Sequence, residues 1–154
     1  MADQPSGERE HRIVVGVDGS GSSKAALAWA VQQARLTGAV VEAVTAWEFP
    51  SAYGYAVPVL DVDFEELATR TVRDAIAEVM AGADAGSIRY KVVEGNAAKV
   101  LIDESAGADL LVVGSRGHGG FVEALLGSTG QHAVHHAPCP VVVIRESVPA
   151  SHAH

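Results

Sequence analysis

The sequence predicts a single-domain α/β protein with a doubly wound sheet of five parallel strands and helices on both faces. Two observations support this prediction: five short apolar segments alternate with segments of helical periodicity, and glycine, proline or capping residues separate them. The length of 154 residues fits one domain with a sizeable core. Residues 1–10 and 146–154 are predicted to be flexible tails around a domain at residues 11–145.

The predicted strands differ in how apolar they are. Most are nearly continuous apolar runs, as expected of strands that are buried on both faces of a parallel sheet. In the third strand, Ile88, Tyr90 and Val92 alternate with Arg89 and Lys91, which is typical of an edge strand with one wet face. The predicted strands are residues 11–17, 40–47, 87–94, 109–113 and 141–144.

Four helices are predicted from apolar residues at helical spacing, each with a capping or breaking residue at one end. They run from Lys24 to about Leu36, from Asp61 or Asp63 to about Met80, from Asn96 to about Ala106 and from Ser128 to about His136. The first could be capped by Ser20, Ser22 or Ser23, and Gly38 should end it. The second carries an apolar stripe of Phe64, Leu67, Ala68, Thr71, Ala75, Ile76 and Val79. Residues 50–58 are predicted to be a loop.

Right-handed crossovers and an edge position for the third strand favour the flavodoxin-like strand order 3-2-1-4-5. The first and fourth strands are then neighbours at the switch point of the sheet. Their carboxyl ends carry Asp18 and Gly114, so these two segments should meet in the crevice where such sheets bind ligands.

The fifth strand would form the other edge of the sheet, although no charged residue guards it. An exposed apolar edge favours pairing with a second chain. We therefore predict a homodimer formed partly by residues Val141–Ile144 against the same strand of a second copy.

Composition excludes several classes of protein. The formal net charge is −8 and the eleven Lys and Arg residues are scattered, which argues against a nucleic-acid surface. No apolar run approaches the roughly 18 to 20 residues of a membrane span, and residues 1–10 do not resemble a signal peptide. Cys139 is the only cysteine, so no intramolecular disulfide can form. These features predict a cytoplasmic protein with no membrane or nucleic-acid partner.

A glycine-rich segment follows the fourth strand and indicates an anion site. Five glycines lie between Gly114 and Gly127, and glycine lets a ligand approach backbone N–H groups without meeting a Cβ. Ser128 and Gln131 fit the capping-box pattern, so the N-terminus of the last helix should face the same place. Backbone donors of this segment are predicted to hold a phosphate group.

The spacing of Gly114, Gly117, Gly127 and Ser128 resembles the G-x2-G-x9-G-[ST] nucleotide-binding signature of the universal stress protein family. All four defined positions match, and the resemblance covers roughly residues 12 to 145. It implies the same strand order, in an adenine nucleotide alpha hydrolase-like fold, and the same dimer contact. It also implies an ATP-binding regulator of the stress response.

The resemblance assigns roles to further residues. By position it implicates Gly16, Val17 and Ala46 in holding the base, where two small side chains would leave room for a ring. Asp18 could accept from a ribose hydroxyl or an adenine amine, approach a nucleotide-bound Mg²⁺, or simply cap the next helix. The remaining candidates lie in or beside the glycine segment: Ser115, Arg116, His118, Gly119, Gly120 and Thr129. AMP and cyclic AMP stay open as alternatives to ATP.

Other chemistries have weaker support in the sequence. His132 and His136 have the spacing of paired metal ligands, but no Glu follows the first and no second ligand cluster exists, so no metal site is predicted. P-loop, dinucleotide and nucleophile-elbow motifs are absent. Binding is therefore favoured over turnover. The alternatives are a slow ATPase or adenylating enzyme of this fold class, and a chaperone-like dimer that binds no nucleotide.

Overall fold

A computed structural model describes residues 10–49, 51–52, 55–56, 62–81, 88–115 and 128–146. The strands are β1 (Arg12–Gly16), β2 (Val40–Trp47), β3 (Ser51–Ala52), β4 (Tyr55–Ala56), β5 (Arg89–Glu94), β6 (Leu110–Gly114) and β7 (Val141–Ile144). The helices are α1 (Gly21–Thr37), α2 (Phe64–Val79), α3 (Ala97–Glu104) and α4 (Ser128–His136). Strands β3 and β4 have two residues each and pair antiparallel in a separate sheet, within the segment predicted to be a loop.

The main sheet has five strands in the order β5-β2-β1-β6-β7, and every neighbouring pair is parallel. This order confirms the predicted arrangement 3-2-1-4-5. The register pairs Val15 of β1 with Ala43 of β2 and with Val112 of β6, so β1 lies at the centre of the sheet. The predicted edge strand, β5, pairs with β2 alone among the described residues.

Two apolar layers hold helices against opposite faces of the sheet. On one face, Leu27 and Ala30 of α1 and Val72 of α2 are fully buried in one apolar cluster, with α1 packed on the central strands and α2 on β2 and β5. On the other face, Leu101 of α3 and Ala133 of α4 pack on the alternate strand residues. Because side chains alternate along each strand, nearly continuous apolar runs supply both layers at once. The prediction of helices on both faces is confirmed.

Local capping chemistry sets the helix boundaries. Ser20, Asp63 and Asn96 each accept a hydrogen bond from the backbone N–H three residues ahead, at 3.2, 3.0 and 3.1 Å. Gly38 ends α1 in the left-handed region with φ of 80°, whereas α3 ends at Glu104 with Ser105 as its C-cap, and Gly107, also at φ of 80°, follows in the turn. The caps therefore lie among the predicted candidates, and Ser20 takes the role left open among three serines.

Three details of the prediction are wrong. Helix α1 begins at Gly21, three residues earlier than predicted, because the cap is the first of the three serines. Leu67 is 45% exposed, whereas Val72 is fully buried, so the buried stripe of α2 is rotated from the predicted one. Tyr90 is 44% exposed despite its place in the alternation of β5, an edge strand that pairs only with β2 among the described residues.

Cys139 lies just before β7 and is half-buried. Burial raises the pKa of its thiol, although a hydrogen bond with Ser105 partly opposes the shift. A raised pKa keeps the thiol protonated at neutral pH, which agrees with a packing role. Among the described helices, none is long and apolar enough to cross a bilayer.

Candidate functional site

Strands β1 and β6 are neighbours inside the sheet, and their carboxyl ends lie side by side at the same end of the sheet. Leu111 and Val112 of β6 pair with Val14 and Val15 of β1. From these neighbours the chain proceeds in opposite directions, through α1 to β2 and through α4 to β7. This arrangement is the topological switch point of a doubly wound sheet, where the departing loops leave a crevice. The structure therefore brings Asp18 and Gly114 together at the carboxyl ends of these two strands, as the sequence predicted.

Hydrogen bonds from two neighbouring elements hold the turn after β1. The Asp18 backbone N–H donates to the Ser23 hydroxyl at 3.2 Å, and the Ser20 N–H donates to Oδ1 of Asp18 at 2.9 Å. Thr45 of β2 is buried, and its hydroxyl donates to the Val17 carbonyl at 2.7 Å. Because the N–H and the carbonyl of the peptide group that precedes Asp18 are both held, and the carboxylate itself accepts the Ser20 N–H, this carboxylate has a defined place at the crevice.

The Asp18 side chain does not cap helix α1, because Ser20 is the cap. It closes an Asx-type turn instead, in which one carboxylate oxygen accepts the backbone N–H two residues ahead. Gly19 adopts φ of 85° within this turn, a conformation that costs other residues free energy.

Gly114 ends β6 in direct contact with the first turn of α1. A Cβ on this residue would lie 2.7 Å from the Ser22 carbonyl carbon and 2.8 Å from the Ser23 backbone nitrogen. Backbone atoms cannot move aside cheaply, so only glycine fits. The first glycine of the signature therefore has a packing role as well as any role toward a ligand. Ser115 follows it, is buried, and donates its N–H to the Ile144 carbonyl at 2.8 Å.

The first turn of α1 contains no acidic residue, but Glu146 lies against it from the end of β7. A Cβ at Gly21 would collide with the Glu146 carboxylate. A negative group at a helix N-terminus is stabilised by the partial positive charge of the backbone N–H groups. The segment after β7 thus reaches the same edge of the sheet as the crevice.

The surroundings of Gly16 differ from the expectation. A Cβ there would lie 2.6 Å from Cδ1 of Leu101, so the side chain of α3 fills the space that glycine leaves. Ala46 is half-buried and pairs with Val93, toward the β5 edge of the sheet.

Several predicted site residues lie outside the described part of the chain. They are Arg116, Gly117, His118, Gly119, Gly120 and Gly127. Helix α4 begins at Ser128 and includes Thr129, so the helix that follows the signature is where the sequence predicted it. The predicted capping box pairs Ser128 with Gln131; Ser128 is the first residue of α4, and its side chain lies outside the described part of the structure.

Sequence reasoning missed residues that support the crevice. Thr45 and Leu101 act across the fold, and their only signal was a polar or bulky side chain beside an apolar run, while Ser23 was considered only as a cap. At the end of β2, the Phe49 ring packs edge-on against Trp47 and Phe64, with centroid distances of 5.3 and 5.8 Å. This aromatic chain ties the end of β2 to the start of α2. Within the described ranges, no three His, Cys, Asp or Glu residues are placed to share a metal ion.

Strand order, crevice and glycine signature together define a flavodoxin-like α/β protein with its candidate site at the switch point. The sequence profile of the Universal stress protein family matches residues 10–145. The chain belongs to this family.

Relatives and solved structures agree with the assignment. A universal stress protein of Mycolicibacterium smegmatis is 33% identical over 153 residues, which cover 93% of this chain and 51% of the relative. One from Mycobacterium tuberculosis strain H37Rv is 35% identical over 147 residues, covering 88% of this chain and 46% of the relative. The chain therefore spans about half the length of the curated relatives it matches.

The structure of UspA from Lactobacillus plantarum is 30% identical and superposes with a TM-score of 0.71, covering 89% of this chain and 99% of that one. A universal stress protein solved in complex with cAMP is 26% identical, with a TM-score of 0.67 and coverage of 90% and 99%.

Proposed function

We propose that this protein binds an adenine nucleotide, with ATP as the first candidate, in the crevice between the ends of β1 and β6. Binding would make it a regulatory module of the stress response. The observation that carries the proposal is the contact of Gly114 with the first turn of α1, beside the ordered turn that holds Asp18. This contact brings the start of the glycine signature and a fixed carboxylate to one switch point.

Each part of a nucleotide has a chemically suited partner in the chain. Backbone N–H groups between Gly114 and Gly120, together with the first turn of α4, would hold the phosphates. Arg116 and His118 would neutralise phosphate charge, with Ser115, Gly127, Ser128 and Thr129 adding donors. Asp18 would accept from the ribose or adenine, or approach a Mg²⁺ ion carried by the nucleotide. The base would lie by the backbone of Val17 and Gly16 and by Ala46.

A solved relative supports the ligand class. The universal stress protein solved in complex with cAMP is 26% identical in sequence to this chain, and the match covers 90% of this chain and 99% of that protein. Adenine and ribose are common to cyclic AMP, AMP and ATP, so we propose the nucleoside part as the shared determinant. Ligand preference then depends on the number and geometry of the phosphates.

We also propose that the chain forms a homodimer through the edge of β7 that pairs with no other strand among the described residues. Its four residues, Val141–Ile144, are all apolar and only partly buried. The carbonyls of Pro140 and Ile144 accept hydrogen bonds from the backbone N–H groups of Leu111 in β6 and of Ser115 just after it. In a parallel pair of strands, residues whose N–H and C=O groups face the neighbouring strand alternate with residues whose groups face away from it. The N–H and C=O groups that face outward therefore belong to Val141 and Val143, and these would pair with a second copy.

Calorimetric titration tests the binding site. Protein stripped of ligand by denaturation and refolding is titrated with ATP, AMP and cyclic AMP, with and without Mg²⁺. Gly117→Val should abolish binding, because a side chain would block the approach of phosphate to the backbone. Ala28→Val introduces valine at an exposed position of α1, and this variant should bind the nucleotide as the wild type does.

Asp18→Asn is a milder test, because the amide oxygen can still accept the Ser20 N–H and keep the turn. We expect roughly tenfold weaker binding, a loss of about 1.4 kcal/mol. Unchanged affinity in both Gly117→Val and Asp18→Asn would show that nucleotide binds elsewhere. ADP that accumulates in proportion to protein during the ATP titration would favour the enzyme alternative.

A further inference from the structure

Helix α4 carries a pair of exposed histidines one turn apart. His132 and His136 are four residues apart, so they lie on the same face of the helix. Their ring centroids are 5.8 Å apart and their planes are inclined by 34°. This pair lies in the second half of α4, away from the helix start at Ser128.

The distance suits ligation of one metal ion by both rings. Neutral imidazole nitrogen is a preferred ligand of Zn²⁺, Ni²⁺ and Cu²⁺. With metal–nitrogen bonds of about 2.1 Å and angles of about 90° to 110° at the ion, two rings on one ion have centroids roughly 4.6 to 5.3 Å apart. The observed separation of 5.8 Å is slightly greater, so the two side chains would have to rotate toward each other, and the helix need not move. A histidine that ligates through one nitrogen keeps the other for a hydrogen bond.

We propose that His132 and His136 form a surface site for a borderline divalent cation such as Zn²⁺. Water would complete the coordination sphere, because no third protein ligand within the described ranges converges on the pair. His135 is the nearest further candidate, but its ring lies 6.3 Å from that of His136 at an inclination of 61°. The sequence predicts no metal site, because no Glu follows the first histidine and no second ligand cluster exists, but a two-histidine surface site completed by water needs neither.

Metal at this position would bridge the last turn of α4. An ion that binds the folded helix and not the unfolded chain stabilises the folded state in proportion to its occupancy. The effect does not require nucleotide in the crevice, so this inference is independent of the proposed function. The two are tested separately, because the metal titration uses protein without nucleotide.

The test is a titration of the full-length protein with ZnCl₂, by calorimetry and by thermal unfolding, in a buffer that does not chelate the metal. We expect His132→Ala and His136→Ala each to weaken Zn²⁺ binding by at least about tenfold, because each removes one of two protein ligands. His135→Ala removes a histidine of the same helix and should bind Zn²⁺ as the wild type does. Circular dichroism checks that each variant keeps its helices.

Thermal unfolding provides a second measurement on the same proteins. The rise in Tm on adding Zn²⁺ should disappear in His132→Ala and His136→Ala and persist in His135→Ala. Equal affinity of His132→Ala and wild type would overturn the proposal, since the metal would then bind other histidines such as His152 and His154. A loss in His135→Ala as large as in the other two would also overturn the two-histidine site.

Discussion

Gly114 shows at the scale of one residue why the signature begins where it does. Its missing side chain lets the end of β6 touch the backbone of Ser22 and Ser23 at the start of α1. The same contact closes the base of the candidate crevice. A substitution there would therefore affect folding before it affects a ligand.

We expect Gly114→Ala to lower the free energy of unfolding by at least about 3 kcal/mol, because the new methyl group would meet backbone atoms that cannot rotate away. Urea denaturation measures the loss. Gly107→Ala is the matched control: its site is open, and only its φ of 80° opposes a side chain, so about 1 kcal/mol is expected. Equal losses in the two variants would mean that the contact with α1 relaxes without cost.

At the scale of elements, Arg12 joins three segments at the amino end of the sheet. Its guanidinium donates to Glu42 of β2 at 2.8 Å and to the carbonyls of Glu104, the last residue of α3, and Ala106 at 3.0 and 2.9 Å. The Glu42 side chain is only 8% exposed. Lys91 of β5 lies 3.9 Å from the same carboxylate. This network connects the amino ends of the strands, at the opposite end of the sheet from the crevice.

We expect Arg12→Ala to destabilise the protein by about 3 kcal/mol, because it leaves the buried Glu42 without its closest cation. Arg70→Ala removes an exposed i,i+4 pair with Glu66 and should cost less than about 0.5 kcal/mol. Thermal or urea unfolding distinguishes the two. A loss in Arg12→Ala no greater than in Arg70→Ala would show that the network adds nothing to stability.

The elements themselves were predictable because their signals are local. Apolar runs, serine and asparagine caps and a glycine in the left-handed region depend on neighbours in sequence, and the charged alternation of β5 marked the sheet edge. The buried stripe of α2 was not predictable in the same way. Val72 is fully buried and Leu67 is not, because the face that a helix buries depends on how it lies across β2 and β5.

The candidate site likewise contains residues that the sequence could predict and residues that it could not. Spacing identified Gly114 and the position of Asp18, because a signature and a strand end are visible in the sequence. Thr45 holds the Val17 carbonyl across 28 residues, and Leu101 fills the space beside Gly16. Neither relation could be predicted, because each depends on which side chains of separate elements meet after the sheet has formed.

At the scale of the whole molecule, the proposed assembly uses the edge of β7 that pairs with no other strand in the described part of the chain. We expect Val143→Pro to convert the dimer to a monomer, because proline removes an outward N–H group while the bonds from β7 to β6 remain. Val143→Thr keeps that N–H group and a similar shape, so it should remain dimeric. Sedimentation at several protein concentrations distinguishes the two. A wild-type monomer, or a dimeric Val143→Pro variant, would contradict the proposed contact.

The most direct test of the central claim is to map where nucleotide binds by following backbone amide resonances of ¹⁵N-labelled protein as ATP is added. Binding in the proposed crevice predicts the largest shifts at Val17, Asp18 and Ser115 and in the first turn of α4. Residues at the opposite edge, such as Arg12 and Ala106, should change little. Shifts centred away from the ends of β1 and β6, or none at millimolar ATP, AMP and cyclic AMP, would contradict the account.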